Sequence, residues 1–112
     1  MPTEQSRRAD TQAFNAAIDA AVAKRMAPAV RTSGCGRAYV RFFNLSRAQR
    51  TALRKRCEVE GWRWLGADSG RNRDSIYVGY DNADGIALGQ SQAMAGAFKA
   101  HGYECYADGE DD

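Results

Sequence analysis

From Arg37 onward the chain alternates strand-type and helix-type patterns in an order that leaves few folds open. RAYVRFFN, starting at Arg37, is dense in aromatic and β-branched residues and short enough to be a strand. A helix follows, with Ser46 as its N-cap and Gly61 as its C-terminal glycine; Ala48, Ala52, Leu53, Cys57 and Val59 share one side and Arg47, Arg50 and Arg54 the other. WRWLGAD and DSIYVGYD read as two strands joined by the polar loop SGRNR, which is a hairpin pattern. A second helix, rich in Ala and Gly, runs from Ile86 to His101 and ends at Gly102; YECYA reads as a last strand and DGEDD as a fraying acidic tail.

The order β-α-β-β-α-β predicts a ferredoxin-like α+β fold, an antiparallel sheet in the order 4-1-3-2 with both helices on one face. Ahead of it, Asp10 to Met26 places Ala13, Phe14, Ala17, Ile18, Ala21 and Val22 on one helical stripe, and Pro28 stops the helix. That stripe needs cover, either from the domain or from a second copy of the chain as a homodimer. Thr32-Ser33-Gly34-Cys35-Gly36 reads as a linker, so the expected division is residues 1–36, a domain at 37–107 and a tail at 108–112.

Alternation sorts the strand residues. Val40, Phe42, Trp62, Trp64, Ile76, Val78, Tyr80, Tyr103 and Cys105 are expected to face the helices. Tyr39, Arg41, Phe43, Arg63, Tyr77, Glu104 and Tyr106 are expected on the open face. Charge is segregated along the chain: residues 37–73 carry a net +7 and residues 74–112 a net −7, while the whole is +2. Rings beside arginines on a four-stranded sheet can stack unpaired bases while guanidinium groups meet phosphates. Arg71 and Arg73 extend this basic zone, and Arg47, Arg50 and Arg54 form a second one. Two other uses of these residues stand beside that reading: the rings as a platform for the N-terminal helix or a second copy, and the basic helix face as merely solvated.

On its third strand the sequence resembles the RNA-recognition-motif family, where RDSIYVGY keeps Arg73, Tyr77, Val78 and Tyr80 and VRFFNL keeps Asn44-Leu45. It departs from the family at Asp74 and Ser75, which replace a glycine and an aromatic, and at Arg41, which occupies the usual stacking position of the first strand. The resemblance implies Tyr77 as a base-stacking residue.

Signals for catalysis are few. His101 lies at a helix end, where a basic side chain suits the dipole. Cys35 has no evident basic partner, and Cys57 and Cys105 fall on core faces. Asn82-Ala83-Asp84-Gly85 lacks the flanking acids of a calcium loop. No metal or cofactor is therefore expected, and no enzyme. Without a CxxC pair, an apolar leader or a membrane-length apolar run, the chain reads as cytoplasmic with reduced thiols. The expected function is binding of RNA or another single strand through Tyr39, Arg41, Phe43, Arg63, Tyr77 and the arginines named above. The alternative is a small protein-interaction module, such as a phage or mobile-element inhibitor or adaptor that blocks a host defence or nucleic-acid-processing complex, its basic helix meeting an acidic protein surface.

Overall fold

The computed structural model describes residues 4–24, 35–67, 73–82 and 85–111. The elements run α1 (Glu4–Ala23), β1 (Cys35–Phe42), α2 (Arg47–Glu60), β2 (Arg63–Leu65), β3 (Asp74–Asn82), α3 (Ile86–Ala100) and β4 (Cys105–Asp111). The four strands form one sheet in the order β2-β3-β1-β4, which from the β4 edge is 4-1-3-2. All three pairings are antiparallel, and the strands beginning near Arg37 and Asp74 are neighbours.

Local chemistry sets the helix ends. Ser46 Oγ accepts from the Gln49 N–H at 3.1 Å while Gln49 Oε1 accepts from the Ser46 N–H at 2.9 Å, a reciprocal capping box at the start of α2. Gly61 closes that helix at φ +78°, a conformation that favours glycine. At α3 the N-cap position is Gly85, which has no side chain, and the cap comes from β3 instead. The buried Asp81 carboxylate accepts from the Ala87 N–H at 2.7 Å and the Leu88 N–H at 3.0 Å. The helix start is thereby tied to the sheet.

α1 begins at Glu4, six residues earlier than the sequence predicts, because polar residues extend a helix that its apolar stripe alone does not mark. Phe14, Ala17, Ile18 and Ala21 are fully buried in the same cluster as Val40, Phe42, Leu53, Ile76, Met94 and Phe98. Phe14 meets Phe98 at 6.0 Å and the edge of Tyr103 at 4.9 Å between ring centroids, so α1 lies in the helical layer against α3. Asp19 reaches across to Arg56 of α2 at 2.7 Å. The stripe finds its cover in the domain, the first of the two expected alternatives, and not on the open sheet face. Among the described residues the core runs continuously from α1 into the sheet.

Two corrections concern the strands. β1 starts at Cys35, and β4 continues through Asp111, where Gly36 pairs with Asp111, so residues 108–111 are strand and not tail. In β3 the ladder slips: Ala38 pairs with Gly79 and Tyr39 with Tyr77, leaving Val78 without a partner on β1. The bulge inverts the alternation beyond it. Tyr80, expected toward the helices, lies opposite Arg37 and is 41% exposed, while Asp81 turns inward to its capping role. No helix among the described residues is long and apolar enough to cross a membrane.

Candidate nucleic-acid interface

The open face of the sheet carries Arg37, Tyr39, Arg41 and Phe43 from β1 and its exit, Ser75 and Tyr77 from β3, Arg63 and Leu65 from β2, and Tyr106, Asp108 and Glu110 from β4. These side chains pack on one another. Arg41 is only 9% exposed: its Nε donates to Asp108 Oδ2 at 2.5 Å, one terminal nitrogen to Glu110 Oε1 at 2.5 Å, and the other to Ser75 Oγ at 3.1 Å. Its guanidinium lies 4.4 Å from the centroid of Tyr39, which is itself 4% exposed. Two carboxylates and a hydroxyl thus hold the Arg41 guanidinium within the molecule, and the Tyr39 ring is buried beneath it.

The rest of the face divides in two. At one end Phe43 is half-buried, with Tyr106 at 5.5 Å and the Arg73 guanidinium over its ring at 4.0 Å, so that Arg73 already covers the plane a base would use. At the other end the half-buried Tyr77 meets Tyr39 edge-on at 5.4 Å and borders a shallow depression of about 300 Å³ lined by Arg37, Tyr39, Arg63, Leu65 and Tyr77. Arg37 and Arg63 are exposed. Arg37 was missed in the sequence, although the two-residue spacing Arg37, Tyr39, Arg41 marks it. It stands opposite Glu110 in the β1–β4 register.

The arginines of α2 do not join this face, because α2 belongs to the helical layer on the other side of the sheet. Arg47 and Arg54 are exposed there, and Arg47 lines a groove against α1. Arg50 pairs with the buried Asp74 at 3.1 Å, the other oxygen of which accepts from the Ala67 N–H at 2.9 Å. Arg56 pairs with Asp19 and with Glu60 at 3.1 Å, and the hydrogen bond to Asp19, ahead of the other contacts, holds its pKa above the usual guanidinium value. Arg71 lies outside the described residues.

Cys57 and Cys105 are buried free thiols, and burial pushes their pKa values up to about 12 and about 11. Such thiols stay protonated at neutral pH and are poor nucleophiles. Among the described residues no group of three or more His, Cys, Asp or Glu side chains converges on a metal-sized site. Comparison with family models, with curated proteins and with solved structures finds no match.

Proposed function

We propose that the chain is a non-catalytic binding module of ferredoxin-like architecture that takes single-stranded nucleic acid, RNA in particular, at the corner formed by Arg37, Arg63 and Tyr77. The architecture is supported by the two βα crossovers, each joining strands separated by one antiparallel neighbour. The binding reading is carried by one observation, the half-buried Tyr77 ring at a depression flanked by two exposed guanidinium groups. One base stacks on the ring while Arg37 and Arg63 meet the phosphates on either side. This footprint is narrower than the whole-face surface expected from the sequence. The cytoplasm suits the buried reduced thiols Cys57 and Cys105.

Fluorescence anisotropy with a labelled single-stranded RNA tests the reading. Tyr77→Ala weakens binding by roughly 1–3 kcal/mol, the worth of one stacked base. Arg63→Ala lowers the dependence of log affinity on log salt by about one. Arg47→Ala changes neither, since it lies on the other side of the sheet. Absence of affinity for any RNA or DNA at low salt refutes the proposal.

A second reading, a protein-interaction module of the inhibitor or adaptor type, is favoured by a different observation. Val59 on α2 is 77% exposed beside the groove between α1 and α2.

A further inference from the structure

Residues of α1 and α2 line an open groove of about 1150 Å³, larger than the roughly 300–1,000 Å³ of a small-molecule site. Ala48, Ala52 and the exposed Val59 lie along α2, and their span of eleven residues is about 16 Å, or three helical turns. Lys55, exposed, falls on the same face between Ala52 and Val59, and Arg47, also exposed, lines the groove about 12 Å away along the axis. Asp10 of α1 is the single acid among the described lining residues, whereas the third cation, Arg56, is committed to Asp19 and Glu60.

We infer that this groove receives an amphipathic helix from a protein partner, its apolar ridge on Ala48, Ala52 and Val59 and its acidic residues against Arg47 and Lys55. The inference rests on the protein-partner reading and is independent of the Tyr77 corner. Three observations select the occupant. Ala48, Ala52 and Val59, with Lys55 at the turn between the last two, match the i, i+4, i+7, i+11 spacing of a helix in a groove. The cations within and beside it, Lys55 and Arg47, call for carboxylates. No aromatic side chain lines the groove among the described residues, so it offers nothing for a base to stack on. A second copy of the chain is the wrong complement, because a two-fold contact through α2 sets Arg47 and Lys55 against themselves.

The test is selection of a displayed library of random 16-residue peptides on the full chain, with counter-selection on Val59→Asp. Enriched peptides are expected to carry apolar residues at i, i+4, i+7 and i+11 with Asp or Glu beside them. Bound to the intact protein, they should lose at least tenfold in affinity with Arg47→Glu/Lys55→Glu and fall to background with Val59→Asp. The changed positions are exposed, so thermal midpoints of the variants should match that of the parent. Failure to enrich, enrichment without acids or helical spacing, or equal binding to the variants overturns the inference. So does displacement of the peptide by single-stranded RNA, nuclear Overhauser contacts from residues 25–34 to the Val59 methyls, or a dimer that Val59→Asp dissociates. Tyr77→Ala leaves peptide binding intact and Val59→Asp leaves RNA binding intact, so the failure of one reading is distinct from the failure of the other.

Discussion

Replacing Arg41 by methionine keeps most of the side-chain volume and removes the charge that organises the open face. Removing one member of a buried ion pair costs ~3–5 kcal/mol, because the remaining charge is left without compensation. Here the abandoned carboxylates are 34% and 42% exposed and rehydrate in part, which reduces the electrostatic loss to about 2 kcal/mol. Loss of the guanidinium over the Tyr39 ring adds ~0.5–1 kcal/mol. The expected total is about 2–3 kcal/mol, or a midpoint lowered by roughly 10–15 °C for a chain of this size. Urea unfolding followed by the fluorescence of Trp62 and Trp64 measures it. In the cycle with Asp108→Asn, a coupling of about 1–2 kcal/mol is expected. A stability loss below about 0.5 kcal/mol, combined with a large loss of RNA affinity, refutes the reasoning and returns Arg41 to the role of a phosphate contact.

Asp81→Ala leaves the Ala87 and Leu88 N–H groups without their acceptor and is expected to cost about 1–2 kcal/mol, with faster amide exchange confined to the first turn of α3. At Gly79 an added Cβ comes within 3.2 Å of the Ala87 Cβ, so Gly79→Val should destabilise by about 1–3 kcal/mol, read by urea midpoint. Gly96→Ala meets nothing within 4 Å inside α3 and should stabilise by about 0.5–1 kcal/mol in the same assay. The pKa values of Cys57 and Cys105 are raised on folding, so the unfolded chain releases those protons first as pH climbs. Stability is therefore full below about pH 8.5 and declines above it, by up to ~1.4 kcal/mol per pH unit for each thiol. Urea titrations from pH 8 to 10.5 should show that decline and a shallower slope in Cys57→Ala; identical slopes contradict it.

The element order was readable because each signal is local: a capping serine, closing glycines, and bursts of aromatic and β-branched residues. Helix-facing residues such as Val40, Phe42, Ile76 and Cys105 followed from alternation and are buried. Alternation failed at Tyr80, since a bulge depends on how two strands 40 residues apart mesh, and no local pattern records it. The C-terminal acids were misread for a similar reason. Asp108 and Glu110 are strand residues because Arg41, 67 and 69 residues earlier, holds them. A period-two signal was present in Tyr106, Asp108 and Glu110, with small Ala107 and Gly109 between them, but acidity outweighed it. The same long-range pairing explains why the burial of Arg41 and Tyr39 was not legible. Rings and arginines announce themselves in a sequence, whereas the partners that neutralise them do not. The groove residues Ala48, Ala52 and Val59 were assigned to a core face, and only the placement of α1 shows that part of that face is uncovered.

The bulge at Val78 also bears on how this chain can change length. Elsewhere in a paired strand, loss of one residue turns every side chain beyond it to the opposite side of the sheet. At Val78 the excision instead restores an unbroken ladder, because Tyr77 and Gly79 already face Tyr39 and Ala38, consecutive residues of β1. Tyr80 keeps its place in solvent and Asp81 its hold on α3. The cost is confined to the packing of one partly buried valine and to the local coiling that the extra residue introduces. A chain one residue shorter at this point can therefore keep every strand pairing described above, with the backbone absorbing the loss inside β3 and not in a loop.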